Sequence, residues 1–208
     1  SLVSIHFFAF LIMIVLIYFI VPAKHQWKVL LGANIFFYLT YGVQYIGFIA
    51  FVIFLTYTLA LMLNRIDAHF ETLRKNCENR EQKKQYKEQC TKFKKIILAI
   101  GLAVNFGIWA VLKFTALAMP LGISIYSFVT AGYCVDVYRG KYYAEKNIGK
   151  YITFVTFFPH IIQGPFSRYD VLGQTLYEKH SWDYTRAGEG ILRILWGFFK
   201  KLIIANRL

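Results

Sequence analysis

An arginine and an aspartate close the segment GPFSRYD (Gly164–Asp170), which follows the uncharged run YITFVTFFPHIIQ (Tyr151–Gln163). Arg168 is planar and permanently charged, and its fork suits phosphate or carboxylate. It could grip the phosphate of a ligand, or pair with Asp170 or a lipid headgroup. His160 sits one residue after Pro159 in FFPHIIQGP. It could line a substrate path, act as a general base, or hydrogen-bond to a nearby carbonyl or tyrosine. Upstream, CVDVYRG (Cys134–Gly140) places Asp136 and Arg139 one helical turn apart, where a local ion pair is expected. Charge and broken backbone at membrane depth survive only where protein or a watery cavity surrounds them. These residues therefore predict a polar site inside a membrane protein.

The elements that must hold this site are apolar. The chain has 208 residues, of which 57% are hydrophobic and 17% charged, and its mean hydropathy is +0.45. Leu2–Val21 and Val29–Asn64 contain no Lys, Arg, Asp or Glu. Uncharged apolar runs of about 18 residues or more read as membrane spans. The net charge of +13 does not indicate nucleic-acid binding, because the Lys and Arg residues fall in loops between apolar runs. The first run is too long for a simple signal peptide, and no small-residue cleavage site follows it.

The fold class expected is all-α, a polytopic integral membrane protein of about five to seven membrane helices, some broken or re-entrant. The spans are expected at 2–21, 27–41, 43–63, 96–113, 116–137, 151–166 and 190–206. A turn at TYGVQY (Thr40–Tyr45) divides the second uncharged run, and Met119-Pro120 lies near the start of the fifth span. Residues 65–95 form a hydrophilic loop with ten basic and five acidic residues, free of Gly and Pro, read as a surface helix or helical hairpin. It either binds acidic headgroups or is a solvated loop that fixes topology. The basic stretches at 24–28, 65–95 and 139–150 share one side when two spans separate each from the next. That side is expected to be cytoplasmic, with Ser1 outside. The segment 151–166 either crosses fully or re-enters. Lys200 and Lys201 are expected to snorkel to the interface.

Cys77, Cys90 and Cys134 are expected as free thiols, since no CxxC or Cys/His spacing suggests a disulfide or a metal. No Ser-His-Asp pattern and no glycine-rich dinucleotide fingerprint is present.

Four motifs occur in one order at tight spacing: MPLGISIYSF (Met119–Phe128), YCVDVYRG (Tyr133–Gly140), FFPHIIQGPFSRYD (Phe157–Asp170) and LWGFFKKLIIANRL (Leu195–Leu208). Together they resemble the bacterial membrane-bound O-acyltransferase family, especially its alginate O-acetyltransferase branch. The resemblance implies a ring of helices around a thin tunnel, with 1–208 as the N-terminal part of one such domain. It implies transfer of an acyl group, acetyl in this branch, to hydroxyls of a cell-envelope or extracellular polysaccharide. A sister branch transfers D-alanyl groups to teichoic acid. The donor would be an acyl thioester, acyl-CoA or an acyl carrier protein, used as co-substrate with no tightly bound cofactor. Implied partners are membrane lipids, the polysaccharide acceptor and an extracytoplasmic acyl-transfer protein, with no nucleic acid. The location implied is the bacterial plasma membrane.

Within that family the catalytic histidine lies in a later WRRWHISLS-like segment, expected beyond Leu208, so this chain by itself is expected to be inactive. His160 stands where the family commonly has Gln. The resemblance casts His160, Gln163, Arg168, Asp136 and Arg139 as lining a substrate tunnel and its cytoplasmic mouth, with no metal. The rivals are a transporter, for which an inverted repeat would be expected, and a non-enzymatic scaffold recruiting partners through 65–95.

Overall fold

The computed structural model describes residues 5–41, 46–77, 80–114, 122–163 and 167–200, with backbone alone at 5, 41 and 161–163. Gly42, Gln44, Met119, Pro120, Gly164, Pro165 and Lys201, which carry expected turns and breaks, lie outside the described residues. Among the described residues all regular structure is helical. The helices are α1 (Ile5–Ile20), α2 (Gln26–Tyr41), α3 (Ile46–Lys75), α4 (Arg80–Phe114), α5 (Ile123–Tyr138), α6 (Ile148–Val155), α7 (Phe158–Gln163), α8 (Gln174–Tyr177) and α9 (Tyr184–Phe199). A 3-10 turn at Ala23–His25 leads into α2, and a π-helical turn at Tyr169–Gly173 leads into α8.

The exposure pattern is that of a membrane protein. Polar Asn34, Thr56, Asn105, Thr130 and Thr153 are 0% exposed, whereas apolar Ile20, Phe54 and Leu192 are 80%, 61% and 67% exposed. Water would impose the reverse order; lipid accepts it, because hydrocarbon solvates the apolar faces and polar groups turn inward to find partners. The hidden hydroxyls are used locally. Thr56 and Thr130 donate back to the carbonyls of Val52 and Tyr126 at 2.7 and 2.8 Å. Between helices, Asn105 donates to the Ser127 carbonyl at 3.0 Å, and Tyr151 donates to Thr56 Oγ1 at 2.8 Å.

Two helices, α3 and α4, are long and apolar enough to cross a membrane, and α1 is a shorter apolar helix. At 1.5 Å per residue the 30 residues of α3 and 35 of α4 reach roughly 45 and 52 Å, beyond a ~30 Å hydrocarbon core. The excess is the basic stretch. Residues 65–75 and 80–95 are the outer parts of α3 and α4, a helical arm of the kind the sequence suggests. The two helices approach closely where Gly101 faces Leu59, since a Cβ there would collide with the Leu59 side chain. At the root of the arm Lys94 Nζ lies 2.6 Å from Asp67 Oδ2 and donates to the Tyr138 carbonyl at 3.1 Å. Asp67 Oδ1 also accepts from the Cys90 thiol at 3.5 Å.

Of the segment expected at 151–166, the described residues up to 163 form two short helices with a break between them. Asn147 caps α6, its Oδ1 accepting from the amides of Gly149 and Lys150 at 2.9 and 3.3 Å. After eight residues α6 stops, and α7 begins at Phe158. At 1.5 Å per residue the two helices measure roughly 12 and 9 Å. The break is bridged from α2. Asn34 Nδ2 donates to the Thr153 carbonyl at 3.2 Å, and Asn34 Oδ1 accepts the Phe158 amide at 3.1 Å. Phe158 itself packs with Ile14, Ala33 and Phe37 in a cluster between α1 and α2.

The chain then comes back to the end it left. Arg168 and Tyr169 reach Asp136 and Glu145, on the loop just before α6. The described residues on either side of 164–166 therefore leave from and come back to one end of α5. The same end gathers the three basic stretches. Lys94 meets Tyr138. Trp27 lies against Gly149, where an added Cβ would stand 3.0 Å from its ring.

Replacing Asn34 with leucine removes a donor and an acceptor from two buried backbone groups at once. Each unsatisfied group costs about 1–3 kcal/mol. Asn34→Leu is therefore expected to lower the unfolding midpoint in detergent clearly and to speed hydrogen exchange at the Phe158 amide. An unchanged midpoint and exchange rate would show that the break holds without the bridge.

Burial first, and then the Asp67 carboxylate, push the Cys90 thiol above its ordinary value. A raised pKa means less thiolate at a given pH, and thiolate is the reactive form. Asp67→Asn should therefore speed Cys90 alkylation at pH 8, with the difference shrinking as pH rises past the thiol's titration. Equal rates in both proteins would remove Asp67 as a cause.

Candidate functional site

The site lies where α5 ends and the chain returns. DVYRGK builds one wall by helix-termination chemistry. Arg139 caps α5, and Gly140 takes φ +73°, a left-handed conformation that glycine adopts without a Cβ clash. The Gly140 amide then bonds the Val137 carbonyl at 3.0 Å and the Lys141 amide bonds the Asp136 carbonyl at 3.1 Å, the double bond of a Schellman ending. This fold-back lays Lys141 over the last turn, so its Nζ sits 3.5 Å from Asp136 Oδ1.

The second wall arrives with the return of the chain. Arg168 Nη2 reaches Asp136 Oδ2 at 3.2 Å, and Arg168 Nε lies 3.6 Å from Asp170 Oδ1. Lys141 Nζ is 3.9 Å from Asp170 Oδ2. Two cations and two anions thus alternate around one cluster, with Asp136 the most buried member at 11% side-chain exposure and Arg168 half-exposed. The expected Asp136–Arg139 pair is not what forms. Asp136 spends both oxygens on Lys141 and Arg168, because the Schellman turn and the return of the chain bring those two cations to it. No ion pair joins Arg139 to Asp136 among the described residues.

A box of aromatic rings backs the charges. Tyr169 packs with ring centroids 5.0 Å from Tyr133, 5.2 Å from Tyr142 and 5.0 Å from Phe154. Its hydroxyl donates to Glu145 Oε2 at 2.7 Å, and the Glu145 amide donates to Tyr133 Oη at 2.8 Å. Burial, and then the bond to Glu145, hold the Tyr169 phenol well above its ordinary value, so it remains a donor. Tyr57 and Tyr177 tie the box to the start of α6, donating to the carbonyls of Lys146 and Lys150. An open cavity of about 820 Å³ adjoins the cluster between the arm and the 140–143 turn. Its walls include Asp67, Glu71, Arg74 and Lys83 from the arm and Lys141 and Tyr142 from the turn.

The remaining sequence candidates fall differently. His160, on α7, is half-buried, and its Nδ1 lies 2.6 Å from Ser167 Oγ. Its ring also packs edge-on against Phe157, centroids 5.1 Å apart. It does not belong to the carboxylate cluster. The side chain of Gln163 lies outside the described residues. Arg139 contributes its backbone to the helix ending. Sequence reasoning missed Asn34, Lys141, Glu145, Ser167 and Tyr169. Asn34 carried a weak signal, as one of three carboxamides in the uncharged run 29–64. The others gain meaning only from the return of the chain.

No family model matches this sequence, and no solved structure matches it. Curated proteins do. The chain is 28% identical over 217 aligned residues to "Probable alginate O-acetylase AlgI" of Azotobacter vinelandii, covering 99% of this chain and 41% of that protein. Proteins of the same name from Pseudomonas aeruginosa and Pseudomonas putida are each 40% identical over 95 residues, 45% of this chain and 18% and 19% of theirs. The chain is related to these alginate O-acetylases, the branch of the membrane-bound O-acyltransferase family that its motifs resemble. It spans less than half the length of the relatives it matches.

Proposed function

We propose that this chain is part of a multi-pass membrane O-acyltransferase that moves an acyl group, acetyl by the names of its relatives, from a thioester donor to polysaccharide hydroxyls. The observation that carries this reading is the similarity to alginate O-acetylases along 99% of the chain. The geometry supports it with a polar cluster where the chain returns to the end of α5, and with charge at one face of the bundle. In this reading the face holding the three basic stretches is cytoplasmic in a bacterial plasma membrane, and the donor approaches there. An impermeant thiol reagent applied to intact cells should leave Cys77 and Cys90 unlabelled until the cells are permeabilised. Labelling beforehand would reverse the orientation.

In this reading Arg168 is the hinge of the site's charge. Its fork is engaged by two carboxylates, Asp136 and Asp170. It orients them and keeps the returning segment closed against α5. His160 is a positioning residue held by Ser167. The short His160–Ser167 contact is also the arrangement of a base beside a nucleophile, which makes the second reading, catalysis within this segment, specific enough to test.

The experiment is acetyl transfer to polysaccharide in membranes carrying the enzyme. Arg168→Lys keeps charge but loses the two-pronged geometry. It should lower turnover about tenfold, equivalent to roughly 1.4 kcal/mol, while membrane levels of folded protein hold. Near-full activity in Arg168→Lys would show that the fork has no functional role. His160→Gln should keep activity within about threefold of the parent. A loss of about a hundredfold or more, the scale of removing a general base, would place the chemistry at His160 and Ser167.

A further inference from the structure

A second site lies away from the charge cluster, between the first and last described helices. Helices α1 and α9 run antiparallel. Phe19 meets Trp182 at one end, centroids 5.0 Å apart, and Phe8 meets Phe198 at the other, 5.5 Å apart. They do not close on each other along their length. A crevice of about 490 Å³ remains between them.

The crevice changes character from end to end. Its mouth carries His180, Asp183 and Arg186, framed by the rings of Tyr18 and Trp182. Its depth is wholly apolar, with Val15 on α1 facing Gly190 and Ile194 on α9. Gly190 has no atom within 4 Å of where a Cβ would stand, so the space beside it is open. From Asp183 to Ile194 is eleven residues, roughly 16 Å of helix, close to half of a ~30 Å hydrocarbon core. That is the depth of one leaflet. The mouth sits beside the start of α2, the level of the basic turn, where tryptophan and tyrosine mark a membrane interface.

The mouth is also rigid. Gln26 is nearly fully buried. Its Nε2 donates to the His180 carbonyl at 2.9 Å, and its Oε1 accepts the His180 amide at 3.2 Å. His180 Nδ1 lies 2.9 Å from the Tyr18 hydroxyl. When that hydroxyl donates, Nε2 carries the ring proton and can donate in turn. Arg186 Nε and Asp183 Oδ2 lie 3.6 Å apart, so the mouth presents one positive and one negative group side by side.

We propose that this crevice binds one phospholipid with a zwitterionic, ethanolamine-type headgroup. The phosphate meets Arg186, whose guanidinium suits it, with His180 Nε2 as a second donor. The ammonium meets Asp183 and the faces of Trp182 and Tyr18. One acyl chain runs down the groove past Val15, Gly190 and Ile194. The paired charges select the zwitterion, because a singly anionic lipid leaves Asp183 facing a headgroup with no cation. The site depends on the membrane character of the chain and not on acyl transfer.

The test uses the protein delipidated in mild detergent, with phosphatidylethanolamine or phosphatidylglycerol added back and bound lipid counted by native mass spectrometry. One phosphatidylethanolamine should be retained, with phosphatidylglycerol bound about tenfold more weakly. Gly190→Trp fills the groove without changing charge and should abolish that retained lipid. Arg186→Gln should erase the preference between headgroups. Equal retention in Gly190→Trp, or equal binding of the two lipids by the parent, would overturn the proposal. A second measurement does not depend on those variants folding. With Trp27, Trp109 and Trp196 changed to Phe, phosphatidylethanolamine carrying a nitroxide at the glycerol end of one chain should quench Trp182 fluorescence saturably at one equivalent. Absence of quenching in folded protein would show that something other than lipid fills the crevice.

Discussion

A helix that stops inside a membrane strands backbone groups where no water can reach them, and the arrangement of this bundle follows from how one side chain answers that constraint. Asn34 offers a donor to the Thr153 carbonyl and an acceptor to the Phe158 amide, across the gap between α6 and α7. Each orphaned group at hydrocarbon depth would cost several kcal/mol. A carboxamide supplies a donor and an acceptor on two separate atoms, so one position can serve both groups across the gap. Because Asn34 sits on α2, the bridge also fixes where the broken segment lies relative to α1 and α2. Gln26, two turns earlier, does the same for the backbone of His180. Helix α2 thus holds two irregular stretches of chain in place by amide pairing, and its apolar residues pack around them.

Once the break is held, the chain can turn back, and the turn determines the charge cluster. Arg168 is thirty-two residues from Asp136 in sequence and 3.2 Å from it in space. Asp136 is largely hidden from solvent, and a buried carboxylate is tolerated only when it is paired. Lys141 and Arg168 provide that pairing from two independent chain segments. The helix ending at Gly140 and the return of the chain are therefore coupled, since loss of either leaves a buried anion short of partners. The tyrosine box reinforces the coupling. Tyr133 comes from α5, Glu145 from the loop before α6, and Tyr169 from the return, and their hydrogen bonds run in sequence.

The long helices solve a different problem. An arm that emerges as a continuation of α3 and α4 needs no new helix nucleus, so the basic stretch is ordered by the apolar halves that carry it. Lys94, Asp67 and the Tyr138 carbonyl tie the root of the arm to the end of α5. The arm and the charge cluster consequently share a rigid base, with an open cavity of about 820 Å³ between them.

Composition and the spacing of uncharged runs were enough to establish a helical membrane chain, because burying polar backbone in lipid leaves few alternatives. The order of four motifs was enough to indicate its relatives. Pro159 stands in the first turn of α7, just after the observed break, while Gly164 and Pro165 lie outside the described residues; Arg168 and Asp136 stood out because charge near apolar runs is costly. What pairs with what was beyond local reasoning. Asp136 and Arg139 are one helical turn apart and looked like partners, yet Gly140 folds Lys141 back and the return of the chain delivers Arg168 instead. Whether 151–166 crossed or re-entered could not be read from hydropathy, since both courses need the same apolar residues. Glu145 and Tyr169 are ordinary residues in sequence, and Asn34 is one of three carboxamides in its run. They matter only because the tertiary fold places an amide across a gap, a carboxylate beside a phenol, and a returning chain against the helix end it left.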